Sequence, residues 1–261
     1  MINIDTGTKQ LILSEDNNVA TITLNNPQYK NALSEELTPY LRKVIKRISK
    51  SKNKLLILRG QGKSFCSGGN IKKMNTKEVK TRTPKKSKVM DLYKKQIELT
   101  YMISSLQIPT IAVITGPAAG AGFSLALSCD IRIGNRHAFF LSNYSRIGLT
   151  GDYGISWYLS KLVGNSKAKE IMLINNRIYA DEAHRIGILN FIFKTNLERN
   201  LEIIKKNIVS QSSLAVKLIK KNINYAEYND LKKSLKLEAE HLIKSSMSKE
   251  HKIAVANFKK D

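Results

Sequence analysis

Only two cysteines, Cys66 and Cys129, and a single tryptophan, Trp157, occur in the chain. So few thiols exclude a disulfide framework and a cysteine-rich zinc module. The four histidines, His137, His184, His241 and His251, show no H-x-x-x-H spacing, so no metal is expected. Long apolar runs are missing too. None reaches the ~18–20 residues that a helix needs to span a bilayer, and no membrane partner is expected. The opening MINIDTGTKQ lacks the basic-then-apolar pattern of a secretory signal, which makes the cytoplasm the expected compartment. Acidic residues are scarce: 21 stand against 44 Lys and Arg, a net charge of +23. Such a balance fits nucleic-acid binding. However, no nucleic-acid-binding motif accompanies it, and the lysines fall in separate patches at 43–54, 72–95 and 217–236. The expectation is solvated faces, with a minority of lysines meeting an anionic ligand.

What is present is alternation. Leu11–Leu13 and Val19–Leu24 read as a hairpin around a Ser14–Asn18 turn. Ser34 caps a helix whose apolar face is Leu37, Leu41, Val44, Ile45 and Ile48. Strand Leu55–Arg59 follows. The Lys- and Thr-rich stretch Lys72–Lys88 reads as a mobile loop or lid, and Asp91–Leu106 as an amphipathic helix. Strand Thr110–Thr115 comes next, then a helix ending near Cys129, then short strands at Asp130–Gly134 and Phe139–Leu141. Helices are expected at 155–163, 166–174 and 180–186, then a strand at Asn190–Phe193. Four more helices complete the chain, at 197–210, 212–225, 228–246 and 249–259. This βα alternation predicts an α/β fold with a parallel sheet and crossover helices. The 42% apolar content suffices for one large core.

Two strand-to-helix turns carry the chemical signal. After Leu55–Arg59 comes Gly60-Gln61-Gly62-Lys63-Ser64-Phe65-Cys66-Ser67-Gly68-Gly69-Asn70. After Thr110–Thr115 comes Gly116-Pro117-Ala118-Ala119-Gly120-Ala121-Gly122-Phe123-Ser124. Small residues let backbone approach a ligand, and a helix start offers free N–H groups to an oxygen that turns anionic. The same residues also suit plain close packing of helix on sheet. The Gly60-Gln61-Gly62 triplet lacks the G-x-G-x-x-G context, so no nicotinamide site is expected.

Together the turns, FCSGGN and GPAAGAGFSLALSCD, resemble those of the crotonase superfamily, the enoyl-CoA hydratase/isomerase family. The resemblance runs from about residue 10 to the C-terminus. It implies a ββα spiral core over residues 1–196 and a C-terminal helical region over 197–261 that makes oligomer contacts. It also implies a homotrimer or a dimer of trimers acting on acyl-CoA thioesters, with no cofactor beyond the coenzyme A of the substrate. By the same resemblance the Gly69 and Ala121 N–H groups hold the thioester oxygen. Lys30, Ser64, Phe65 and Ser67 fall at coenzyme A positions. Met74, Phe123, Ser124, Tyr144, Tyr153 and Trp157 are the expected walls of the acyl pocket. Asn70 stands where the family pattern has an aspartate, expected to be a helix cap.

The acid/base positions depart from the hydratase pattern. Hydratases of the family carry glutamates where this chain has Ser124 and Asn143-Tyr144. Water addition needs groups that activate water and supply a proton, and serine and tyrosine of ordinary acidity are poor at both. One carboxylate remains, Asp152 in IGLTGDYG. The stretch resembles the ring-1,2-epoxyphenylacetyl-CoA isomerase branch, whose aspartate there moves protons. In the related 4-chlorobenzoyl-CoA dehalogenase, an aspartate at this place is the nucleophile. The alternative for Asp152 is a cap on the helix starting near Ile155. The expected activity is therefore an acyl-CoA isomerase. Hydration, thioester hydrolysis or dehalogenation is the first alternative, and a non-catalytic acyl-CoA- or RNA-binding paralogue the second.

Overall fold

A computed structural model describes residues 1–69 and 85–258. Its strands are β1 (Ile2–Ile4), β2 (Leu11–Asp16), β3 (Val19–Leu24), β4 (Leu55–Gly60), β5 (Thr110–Ile114), β6 (Pro117–Ala119), β7 (Ile131–Gly134), β8 (Phe139–Leu141), β9 (Ile178–Tyr179) and β10 (Phe191–Ile192). Seven form one sheet in the order β1-β2-β3-β4-β5-β7-β10. The β1–β2 and β2–β3 pairs are antiparallel, and the other pairs are parallel. The hairpin is tighter than the sequence suggests. Ser14, Glu15 and Asp16 stay in β2, paired with Thr21, Ala20 and Val19. Only Asn17 and Asn18 turn, both at positive φ, as a two-residue hairpin requires.

The sheet is covered on both faces, which is why β4 and β5 read as unbroken apolar runs. Leu56, Leu58, Ala112 and Ile114 face the larger core with helix α1 (Thr38–Ile48), through Leu41, Val44, Ile45 and Ile48. Leu55, Ile57, Ile111, Val113 and Ile133 face the other way. Leu201 closes that second core. Ser34 supports the start of α1, its Oγ accepting from the Leu37 N–H at 3.0 Å.

Helix α2 (Lys86–Gln96) continues through a π-helical turn, Ile97–Tyr101, into Met102–Ser104. It thus begins inside the stretch expected to be a lid. The rest of that stretch, 72–84, lies outside the described residues, as do the expected pocket residue Met74 and the expected cap Asn70. Helix α3 (Ala121–Leu127) leaves the second turn. Helix α4 (Ile155–Ile174) is interrupted at Gly164, φ 77°, where the sequence predicts a break between two helices. Helices α5 (Ala180–Arg185), α6 (Leu197–Val209), α7 (Ser213–Ala226), α8 (Leu231–Ser246) and α9 (Lys249–Phe258) follow. Leu201 places α6 against the sheet.

Three strands escape the sequence reading: β1, β6 and β9. β6 falls inside the expected turn and is a strand of a second, three-stranded sheet, β6-β8-β9. Pro117, Ala118 and Ala119 carry no β-branched side chain, so composition gives no strand signal there. No helix among the described residues is long and apolar enough to cross a membrane.

Candidate active site

The two small-residue turns are laced together by backbone. The Cys66 N–H donates to the Pro117 carbonyl at 3.1 Å, and the Ala119 N–H donates to the Cys66 carbonyl at 2.9 Å. Glycine makes this approach feasible. A Cβ on Gly68, at φ +87°, would lie 2.6 Å from the Ala119 carbonyl oxygen and 3.1 Å from the Ala121 nitrogen. A Cβ on Gly122 would lie 2.2 Å from the Cys66 carbonyl oxygen. The first turn therefore rests directly against the first residue of α3. Gly120, the N-cap of α3, supplies no side chain to cap it. Among the described residues, no group accepts a hydrogen bond from the N–H of Gly69 or Ala121.

One turn along α3 stands Ser124, fully buried. Its Oγ donates to the Asp152 backbone carbonyl at 3.0 Å and lies 3.4 Å from the Tyr144 hydroxyl. The Tyr144 hydroxyl donates to Asp152 Oδ1 at 2.6 Å. Ser124, Tyr144 and Asp152 thus form one cluster beside the start of α3. Burial raises the Asp152 carboxyl above the usual carboxylate range, and the Tyr144 hydrogen bond opposes part of that rise. Burial and the adjacent carboxylate push the Tyr144 phenol well upward, so it stays protonated and able to donate.

The cap alternative for Asp152 is not what the chain forms. The N-cap of α4 is Gly154, and no side chain caps it. The Asp152 carboxylate turns to Tyr144 instead.

The remaining expected residues divide. Lys30 is exposed in a left-handed conformation, φ 52°, and its carbonyl accepts from the Ser67 N–H at 3.0 Å. These two residues therefore sit together on the outer side of the first turn. Ser64 is buried, its carbonyl accepting from the Asn31 amide at 2.8 Å. Phe65 and Phe123 are fully buried, and Phe123 packs on Phe140 with centroids 4.9 Å apart. Both rings belong to the larger core.

Tyr153 and Trp157 line a groove of about 1030 Å³ together with Tyr93, Tyr101, Tyr158 and Tyr228. Trp157 stacks on Tyr228 at 5.9 Å. Gly69, Ala121, Ser124, Tyr144 and Asp152 do not line this groove. Sequence reasoning missed Gln96, whose side-chain oxygen accepts from the Tyr153 N–H at 3.1 Å. No local pattern signals a contact between residues so far apart in the chain.

The cysteines are chemically quiet. Burial pushes both thiols up to about 12, so neither is a thiolate near neutrality. Among the described residues no group of three or more His, Cys, Asp or Glu could hold a metal ion.

Residues 14–260 match the family described as Enoyl-CoA hydratase/isomerase. The chain is 30% identical over 252 residues to a 1,2-epoxyphenylacetyl-CoA isomerase of Escherichia coli, covering 95% of each. It is 34% identical over 252 residues to a short-chain-enoyl-CoA hydratase of Clostridium acetobutylicum, covering 95% of this chain and 94% of the other. Its fold superposes on a crystal structure of an enoyl-CoA hydratase from Bacillus anthracis with a TM-score of 0.87 and 27% identity, over 96% of both chains.

Proposed function

Given that the chain belongs to the enoyl-CoA hydratase/isomerase family, we propose that it is an acyl-CoA isomerase with Asp152 as its acid/base. The Gly69 and Ala121 N–H groups donate to the thioester oxygen. Asp152 removes a proton from a carbon of the acyl chain. The C–H electron pair shifts toward the thioester carbonyl, and the oxygen gains negative charge where those donors wait. The proton then returns at another carbon, and the double bond has moved. No further cofactor enters. Lys30 meets the coenzyme A phosphates as a point charge.

One observation carries this reading. Among the described residues, Asp152 is the carboxylate beside the start of α3; it is held by Tyr144, is not used as a helix cap, and has its pKa raised by burial. Hydration by the same site is the second reading, and the similarity to a short-chain-enoyl-CoA hydratase favours it. Against it, Ser124 and Tyr144 supply no second carboxylate. We also propose that copies assemble as a trimer or a dimer of trimers through the C-terminal helices, which leave Ile223, Leu242 and Met247 exposed.

The test is a panel of enoyl-CoA thioesters in D₂O followed by mass spectrometry. Isomerisation gives deuterium incorporation without addition of water. A product heavier by one water, with no isomer formed, supports the hydratase reading instead.

A further inference from the structure

We propose that Tyr144 is a positioning residue for Asp152, holding Oδ1 so that Oδ2 is presented to the substrate. The role of the carboxylate in turnover rests on the isomerase reading above; the Tyr144–Asp152 pairing does not.

The geometry is specific. The Tyr144 side chain is buried within the larger core, with only its hydroxyl meeting the carboxylate. A 2.6 Å O–H···O contact to an ionised acceptor is short and strong. The backbone of Tyr144 is pinned as well: its carbonyl accepts from the N–H groups of Ile147 and Leu149, both at 3.0 Å. Asn143, just before it, takes a left-handed conformation, φ 57°. Nothing among the described residues donates to Asp152 Oδ2.

Two further side chains fix the segment that bears the carboxylate. Ser124 of α3 donates to the Asp152 carbonyl, and Gln96 of α2 accepts from the next N–H. Three side chains, from Tyr144, Ser124 and Gln96, therefore hold the Asp152–Tyr153 segment. Such support is what a proton-transfer group needs, since a carboxylate free to rotate spends little time aligned. It also ties up the positions that lack the family's glutamates: Ser124 holds the backbone of Asp152 and Tyr144 its side chain.

The titratable groups around Asp152 are few among the described residues. Tyr144 and Tyr153 both have phenols pushed upward by burial. Cys66 of the first turn is pushed up to about 12. Arg42 of α1 acts on Tyr153 and is itself 3.5 Å from Glu98. The phenols and the thiol stay neutral near pH 7. A change in the Asp152 titration on altering Tyr144 therefore reports the lost hydrogen bond.

The experiment is Tyr144→Phe in the full chain, read two ways. The first needs no substrate: the Asp152 carboxyl is titrated by ¹³C NMR, its signal assigned by its absence from Asp152→Asn. Loss of the donor should move the midpoint up by about one pH unit, a tenfold change in proton affinity. The second uses any thioester from the panel that turns over. There kcat should fall about tenfold or more with KM within about twofold, and the acidic limb of the kcat profile should move up in step. Ser124→Ala should lower kcat less and leave the carboxyl midpoint in place. A Tyr144→Phe midpoint equal to wild type overturns the proposal, as does an unchanged kcat profile in a protein that Asp152→Asn inactivates. If Asp152→Asn itself turns over normally, the isomerase reading falls, while the NMR shift still decides the pairing.

Discussion

Tyr144 and Asp152 stand eight residues apart in the chain and 2.6 Å apart at their polar tips, with the phenol as donor. The contact spans a 3₁₀ turn, Ser145–Ile147, that ends at Gly148 in a left-handed conformation, φ 71°. That reversal brings the chain back so that the carboxylate faces the ring. Two small-residue turns and one half-buried carboxylate are thereby gathered around the start of α3.

The raised carboxyl has a consequence for stability. The folded Asp152 binds its proton more tightly than the unfolded one, because burial disfavours its charge. Its contribution is thus fully present below the ordinary carboxylate range and is lost as pH rises through the raised value. Asp152→Asn should melt no lower than wild type at pH 7.5, and its advantage should shrink on acidification toward pH 4. Thermal melts at the two pH values check this; an advantage that grows on acidification contradicts it.

The interlock of the turns should be intolerant of a single methyl. Gly122→Ala would place a Cβ 2.2 Å from the Cys66 carbonyl oxygen, and Gly68→Ala would add a left-handed alanine against Ala119. Each should lose about 1–3 kcal/mol in urea unfolding, the usual cost of overpacking. Equal midpoints for variant and wild type would mean the turns are looser than described.

Lys220 should anchor α7 beside β5 and β7. Its Nζ donates to Asp130 Oδ2 at 2.7 Å and to the Ile108 carbonyl at 3.1 Å, with both side chains largely covered. Asp130 also accepts from the Thr110 N–H and hydroxyl. Lys220→Met should cost about 3 kcal/mol, because it leaves a covered carboxylate without its cation. Chemical denaturation reads the loss, and faster proteolysis within α7–α9 locates it.

Cys66 and Cys129, with thiols near 12, should resist a thiol reagent at pH 8 in the native protein and react only on unfolding. Fast labelling of either thiol in the folded state contradicts their burial.

Much of this architecture was legible in advance. Covered sheets demand continuous apolar strands, and Leu55–Arg59 and Thr110–Thr115 show them. The glycine at 164 marked a real break in α4. The turns were legible as small-residue junctions, and their resemblance to a known family gave the fold. β6 was not legible, because its pairing with β8 depends on tertiary placement of three residues with no strand preference. The full burial of Phe65 and Phe123 was not legible either: an aromatic beside a turn looks the same whether it faces solvent or core. Nor did the sequence hint that Ser124 and Tyr144 contact Asp152. That needs the positive φ of Asn143 and Gly148, which composition permits without requiring.

The central claim is that Asp152 carries the proton in turnover of a CoA thioester. Asp152→Asn keeps the size of the side chain and an acceptor for the Tyr144 hydroxyl, but cannot take a proton. The decisive measurement is kcat of this variant beside its affinity for the same thioester. The account predicts a fall in kcat of about 10²–10⁴-fold, the worth of a positioned general base, with Kd within about twofold of wild type. A variant that turns the thioester over at the wild-type rate contradicts it.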